Sequence, residues 1–209
     1  MLFFFLMIQG AWSRSARHHA IEGVKRDFVA AVAAASAAGD AARGKQHFAL
    51  LDVGANTGTF AEMMMERLSR AAPREHVHLV MYEPQPQFRS RLGSIARRWR
   101  GTHVGAAAWT QAGNLSFFLN DANSEAATLE EASATSSRGY RGQVLTVPAV
   151  DLAEHLLETL PVLSPQNPNA SLAFLKLDVE VPPLYLWPRN RPSSSHMRST
   201  HHPNPIAKP

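Results

Sequence analysis

The sequence predicts an α/β fold built on a mostly parallel β-sheet. Three observations lead to this prediction. Apolar strands alternate with amphipathic helices between residues 47 and 108, which is the pattern of a parallel sheet with right-handed crossovers. A turn that contains Gly54 and Gly58 joins the first of these strands to its helix. Residues 171–178 are almost continuously apolar, as a strand buried on both faces should be.

Hydrophobic periodicity assigns the elements of the first half. The alanine-rich residues 20–43 carry larger apolar side chains at helical spacing, which predicts a helix on the edge of the domain. Apolar runs predict three strands, at residues 47–53, 77–82 and 102–108. Amphipathic stretches predict the helices between them, over residues 59–71 and 86–100.

The second half carries strands of a different type. Residues 114–119 and 143–147 are expected to form a β-excursion around a mobile loop, residues 121–142, which is rich in Ser, Ala, Thr and Glu. A helix over 150–160 and a loop over 161–170 then lead into the last strand, 171–178. Specificity for a substrate is expected to lie partly in the loop 121–142.

Composition excludes several classes of site. The chain has 209 residues, enough for one domain of ordinary size, and 45% of them are hydrophobic, which can fill a core. It contains no cysteine, which excludes disulfides and thiolate metal sites. The histidines near the C-terminus have no acidic neighbours, so no metal site is predicted.

The net charge of +4 does not indicate nucleic-acid binding. Residues 181–209 contain four basic residues and no acidic one; removing these four from the total of 21 leaves 17 basic residues against 17 acidic ones. The body of the chain is therefore neutral by this count. Because the excess of basic residues lies in the C-terminal tail alone, we predict no nucleic-acid partner.

The termini differ in character from the rest. Residues 1–45 are interpreted as an apolar tip followed by the alanine-rich helix, residues 46–180 as the main domain, and residues 181–209 as a proline-rich, disordered basic tail. The apolar run 1–8 is shorter than the roughly 20 residues that span a bilayer. It is either the remnant of a secretory signal or anchor, or a simple apolar tip in a cytoplasmic protein, and membrane contact is expected only through residues 1–12.

The turn after the first strand has the order D-x-G-x-N-x-G, formed by Asp52, Gly54, Asn56 and Gly58. This order is neither a dinucleotide fingerprint nor a P-loop, since it lacks the third glycine and the phosphate-binding lysine. Glycines let a backbone approach a ligand closely, and the following helix points free N–H groups at the same space. The pattern favours a ligand without phosphates, such as S-adenosylmethionine; the alternative is an ordinary strand-to-helix turn.

Acidic residues follow two further strands. Glu83 ends the second strand, where an acid accepts hydrogen bonds from ribose hydroxyls in doubly wound folds. Asp178 and Glu180 end the last strand, and the two-residue period places Lys176 on the same side as both. These three residues are the candidate catalytic groups, because carboxylates there can orient or deprotonate a hydroxyl acceptor.

The chain resembles the FkbM-type S-adenosylmethionine-dependent methyltransferases. The resemblance covers about residues 46–180 and rests on five segments, namely residues 51–58 (LDVGANTG), 82–86 (YEPQP) with Phe88 and Leu92, 107–109 (AAW) with Gly113, 147–151 (VPAVD) with Leu152 and Leu156, and 175–180 (LKLDVE). The first, second and last segments are specific in combination, whereas the segment at 107 is weak alone.

The resemblance implies a class I methyltransferase, a Rossmann-like fold with helices on both faces of a mostly parallel sheet. It implies methyl transfer from S-adenosylmethionine to oxygen, commonly a hydroxyl of a sugar, glycan or other small molecule. In this sequence it implies that Asp52, Gly54, Asn56 and Gly58 hold the methionine part of the cofactor and that Glu83 holds the ribose. Ala107 and Ala108 would lie near the adenine.

The chain departs from the family after Glu180. The family continues its last motif with Gly and Glu, where this chain has Val181 and Pro183. We therefore expect the C-terminal strands of the sheet to be missing and the strand 171–178 to become an exposed edge. Two alternatives to an active methyltransferase stay open: a non-catalytic truncated remnant of such an enzyme, and a nucleotide-dependent oxidoreductase with an unusual turn.

Overall fold

The structure, a computed structural model, describes residues 3–8, 14–39, 47–119, 127–128, 143–159 and 170–178. The tail 181–209, Glu180, most of the loop 121–142 and nearly all of the loop 161–170 lie outside the described residues. The predictions made for those segments therefore stay predictions.

The described residues form nine strands and four α-helices. The first half comprises β1 (Phe3–Ile8), α1 (Arg14–Gly39), β2 (His47–Val53), α2 (Thr59–Leu68), β3 (Val77–Tyr82), α3 (Arg89–Trp99), β4 (Thr102–Val104) and β5 (Ala107–Trp109). The second half comprises β6 (Gly113–Leu119), β7 (Ala127–Thr128), β8 (Gln143–Asp151), α4 (Leu152–Thr159) and β9 (Ala170–Leu177). Short 3₁₀ helices, Arg74–His76 and Pro86–Phe88, precede β3 and α3.

The main sheet has five strands in the order β1-β9-β2-β3-β4, and every neighbouring pair is parallel. A second sheet has the order β5-β8-β6-β7; β5 pairs with β8 in parallel, and the other two pairs are antiparallel. This arrangement confirms an α/β fold with a mostly parallel sheet. It is compatible with a Rossmann-like fold.

Two apolar layers cover the main sheet. On the first face, α1, α2 and α3 pack against the sheet through a core that includes Phe28, Phe48, Leu50, Met64 and Leu92. On the second face, Leu152 and Leu156 of α4 and Ala108 of β5 pack against Val53, Tyr82 and Leu177. The parallel strands are therefore buried on both sides, which explains why their sequences are almost continuously apolar.

The expectation that the last strand is an exposed edge is wrong. β9 lies between β2 and β1, and the register pairs Phe3 with Leu172 and Ile8 with Leu177. The N-terminal apolar run, interpreted from sequence as a signal remnant or an apolar tip, forms this neighbouring strand. Sequence pattern could not find the pairing, because the two partners are separated by most of the chain.

The single strand expected over residues 102–108 is two strands in different sheets. β4 pairs with β3 in the main sheet, whereas β5 pairs with β8 in the second sheet. The chain crosses between the sheets at Gly105 and Ala106. A continuous run of small and apolar residues gives no sign of such a crossing, because both strands are partly buried.

Within the part of the chain that the structure describes, no helix has the length and apolar character needed to cross a membrane.

Candidate functional site

The candidate site lies at the carboxyl ends of β9, β2 and β3, which are neighbouring parallel strands of the main sheet. From β2 the chain runs through α2 to β3 on one side, while β9 lies on the other side of β2. Helices α1, α2 and α3 pack on the first face, and α4, which precedes β9, packs on the second. Open α/β sheets bind ligands in the crevice outside the carboxyl ends of the strands.

The turn from β2 to α2 uses three left-handed residues. Gly54, Asn56 and Gly58 have φ angles of 74°, 53° and 77°. Asparagine is among the few non-glycine residues that adopt this conformation at modest cost. The G-x-N-x-G part of the motif therefore meets a backbone requirement of this turn.

The amides of the turn donate hydrogen bonds to the protein itself. Gly54 N and Ala55 N both donate to the carbonyl of Tyr82, each at 3.0 Å. Asn56 N donates to Glu83 Oε2 at 2.9 Å, and Gly58 N donates to the carbonyl of Ala55 at 2.8 Å. These four amides of the turn are thus already used, and their hydrogen bonds fix the shape of the turn.

Glu83 is buried, with 4% of its surface exposed, and holds two loops together. Its carboxylate accepts from Asn56 N through Oε2 and from Gln85 N through Oε1, at 2.9 and 3.0 Å. Burial raises the pKa of Glu83, while these two amides oppose the rise. The Gln85 side chain also hydrogen-bonds this carboxylate, which leaves one of its roughly four lone-pair sites for a ribose hydroxyl.

Asp52 and Lys176 form a buried ion pair beneath the turn. Lys176 Nζ donates to Asp52 Oδ1 at 2.9 Å and to the carbonyl of Gly54 at 3.1 Å. Burial raises the pKa of Asp52, the Lys176 ammonium lowers it, and the Asp178 charge adds to the rise. The second oxygen, Oδ2, is buried without a close hydrogen-bond partner among the described residues.

Asp178 is the accessible carboxylate of the site. Its side chain is 41% exposed, and its Oδ2 lies 3.4 Å from Lys176 Nζ. Its backbone N–H donates to the carbonyl of Val53 at 3.0 Å, which continues the pairing of β9 with β2 beyond the strand ends. The structure therefore brings Lys176 and Asp178 together as the strand period predicts, while Glu180 lies outside the described residues.

The two glycines are required by the packing of the protein. A Cβ on Gly54 would lie 2.1 Å from the carbonyl oxygen of Asp178. A Cβ on Gly58 would lie 2.4 Å from Ile95 Cδ1 and 2.8 Å from Leu92 Cδ2, both on α3. The sequence argument assigned these glycines to ligand approach; the close neighbours in the structure are β9 and α3.

Ala107 and Ala108 lie in β5 and are 6% and 7% exposed. Ala107 packs with Val147 and Ala149 inside the second sheet, and Ala108 packs against the second face of the main sheet. Both side chains are therefore buried between elements. They are next to the strand end that carries Val104, whose carbonyl accepts from Glu83 N at 3.1 Å.

Two residues near the site, His155 and Arg91, were not among the predicted site residues. The hydroxyl of Tyr82 lies 2.9 Å from His155 Nδ1 on α4. Arg91 of α3 donates to the carbonyl of Thr57 in the turn and to Glu62 Oε2 of α2 at 2.9 Å. The sequence shows only that Tyr82 precedes Glu83. The contacts of His155 and Arg91 depend on tertiary packing, so local sequence pattern gives no sign of them.

No protein family model, no curated protein and no solved structure matches this chain.

Proposed function

We propose that this chain binds S-adenosylmethionine at the turn from β2 to α2 and transfers its methyl group to a hydroxyl oxygen of a small molecule or glycan. The observation that carries the proposal is the charge of the site. Three carboxylates, those of Asp52, Glu83 and Asp178, lie at the carboxyl edge of the sheet. Lys176 pairs with Asp52 and Asp178, and the nearby Arg91 pairs with Glu62. A net acidic edge complements a ligand with a sulfonium and an ammonium group.

The same site disfavours a phosphate-bearing cofactor. A pyrophosphate is held by free amides at a glycine turn and by the start of the following helix. Here the amides of Gly54, Ala55, Asn56 and Gly58 all donate within the protein. The acidic side chains would also repel the phosphates. A dinucleotide-dependent oxidoreductase is therefore the weaker candidate.

The residues present fit the cofactor by chemistry. The lone pair that remains on the Glu83 carboxylate suits a ribose hydroxyl. The Gly54 carbonyl and Asp52 Oδ1 already accept from Lys176, so Asp52 Oδ2 is the acceptor left for an ammonium. When bound, S-adenosylmethionine supplies a methyl group already activated on sulfur. The role left to the protein is therefore positioning of the acceptor.

Asp178 is the residue best placed to act on the acceptor. Bound S-adenosylmethionine would supply the methyl group to the acceptor oxygen and would leave as the neutral thioether, and the Asp178 carboxylate or water would take up the hydroxyl proton. The exposed carboxylate can receive this proton, and Lys176 at 3.4 Å holds it in place. Lys176, 4% exposed, acts here by positioning.

A cofactor-binding protein without turnover is the second candidate. The observation that favours it is the burial of Lys176 with Asp52, which leaves Asp178 as the accessible carboxylate among the described members of the catalytic set. Such a protein would bind S-adenosylmethionine and release no S-adenosylhomocysteine in the presence of hydroxyl acceptors.

Calorimetry with S-adenosylmethionine, S-adenosylhomocysteine and NADH separates these candidates. We expect the two sulfur ligands to bind and NADH not to bind. Glu83→Gln should weaken binding about tenfold or more, because it removes a charge-assisted hydrogen bond to the ribose. Glu75→Gln, an exposed acid on the 3₁₀ helix before β3, is the matched control and should bind normally. Binding of NADH alone would overturn the proposal.

A further inference from the structure

Tyr82 connects the turn after β2 with helix α4. Its carbonyl accepts from Gly54 N and Ala55 N at 3.0 Å, which fixes the start of the turn. Its hydroxyl lies 2.9 Å from His155 Nδ1, and the two rings meet edge to face with centroids 5.6 Å apart. One residue thus holds the turn with its backbone and α4 with its side chain.

Helix α4 is itself fixed to the second sheet. It begins directly after β8, and Asp151 Oδ1 caps it by accepting from Ala153 N at 2.9 Å and from Glu154 N at 3.1 Å. Leu152 and Leu156 of α4 pack into the apolar core that the helix shares with the main sheet. Apolar contacts tolerate sliding, whereas one directional hydrogen bond in a buried interface specifies a single register.

We propose that His155 is a positioning residue that sets the shape of the turn through Tyr82. Tyr82 is 1% exposed, and burial raises its pKa to about 12, so its hydroxyl stays neutral and hydrogen-bonded over the whole physiological range. Loss of the His155 ring leaves this hydroxyl without its partner in an apolar core, and the Tyr82 ring must shift. The carbonyl of the same residue then moves relative to Gly54 and Ala55.

Hydrogen exchange of the full chain without ligand tests the inference directly. In His155→Leu, the amides of Gly54 and Ala55 should exchange about fivefold faster, the amount expected for one net hydrogen bond. In His155→Asn, whose side-chain oxygen can take the place of Nδ1, exchange should return toward the wild-type rate. Leu157→Ala, at a 62% exposed position on the same helix, is the control and should change neither amide.

The amides of Leu50 and Leu51 in β2 separate positioning from general destabilisation. If His155→Leu accelerates these core amides as much as those of Gly54 and Ala55, His155 only contributes stability and the inference is overturned. Selective acceleration in the turn, with rescue by His155→Asn, supports it.

A second measurement, the affinity for S-adenosylhomocysteine, rests on the proposed function. His155→Leu should weaken binding about fivefold, and His155→Asn should restore it. Wild-type binding that is unaffected by His155→Leu would overturn the link to the ligand. Failure of the wild type to bind would overturn the proposed function instead, and the exchange rates would still decide whether His155 positions the turn.

Discussion

At the scale of single residues, the buried pair of Asp52 and Lys176 dominates the electrostatics of the site. Their side chains are 0% and 5% exposed, and the atoms Nζ and Oδ1 lie 2.9 Å apart. A buried ion pair offers little net stability over an apolar pair, but removal of one partner leaves a charge without compensation. The pair therefore makes each member hard to replace alone.

Lys176→Met should lower the free energy of unfolding by roughly 3–5 kcal/mol, because Asp52 keeps its buried position and loses its cation. The double variant Asp52→Leu with Lys176→Met should lose less than the sum of the single variants. Urea unfolding measures both quantities. Arg98→Met, whose ion pairs with Glu62 and Glu66 are exposed, is the control and should cost about 1 kcal/mol or less.

Gly54→Ala should destabilise the protein more than Gly58→Ala. Both positions have positive φ, where a Cβ costs roughly 1–2 kcal/mol. The added Cβ meets the backbone carbonyl of Asp178 at Gly54, whereas it meets movable side-chain ends of Leu92 and Ile95 at Gly58. Gly23→Ala in α1, with nothing within 4 Å, should instead stabilise slightly. Equal thermal stability of the three variants would contradict this order.

His78 should make stability depend on pH. Burial, and then His47 and His76, lower the pKa of His78 from 6.5. The folded protein therefore prefers the neutral ring, so its contribution is complete above pH 6.5 and is lost as the pH falls below that value. Unfolding in urea between about pH 7 and pH 5 should show a smaller loss of stability in His78→Gln than in the wild type. Equal losses in the two proteins would exclude this role.

At the scale of elements, the pairing of β1 with β9 changes the expectation for the end of the sheet. An edge strand at residues 170–177 would exchange its amides readily, whereas β9 has a parallel neighbour on each side. The N-terminal apolar run thus adds one more strand, β1, to the sheet next to β9.

Deletion of residues 1–8 should therefore increase hydrogen exchange in β9, because half of its ladder bonds face β1. The wild-type amides of Ala173–Leu177 should be strongly protected, and the amides of β3, two strands away, should change little on deletion. Weak protection of β9 in the intact chain would contradict the observed sheet order.

At the scale of the whole molecule, the parallel main sheet brings acidic groups together at the carboxyl ends of its strands. Asp52, Glu83 and Asp178 come from the ends of β2, β3 and β9, and these three strands are neighbours in the sheet. Burial raises the pKa of Asp52 and of Glu83. A bound cation would favour the ionised form of both and so lower each pKa.

Binding of S-adenosylmethionine should accordingly release protons and become tighter as the pH rises through the titration of Glu83. S-adenosylhomocysteine lacks the sulfonium charge and should release fewer protons. Calorimetry in buffers of different ionisation enthalpy measures the difference, and Glu83→Gln should reduce it. Equal proton release for both ligands would argue against a charge-selective site.

The local elements and the backbone of the turn can be predicted from the amino-acid sequence. Periodicity found β2, β3, β9 and the helices between them, and the order Asp52, Gly54, Asn56, Gly58 predicted a strand-to-helix turn. These features depend on side chains close together in the chain, so local pattern is enough to reveal them.

The order of the strands in the sheet and the partners of the polar groups are seen only in the tertiary structure. In the structure β1 lies beside β9, and residues 102–109 belong to two different sheets. Asp52 and Lys176 form an ion pair although 124 residues separate them in the sequence. Gly54 lies next to Asp178, and Gly58 lies next to α3. Such contacts arise from packing between elements distant in the chain, and a hydrophobic pattern states which face is buried without stating against what.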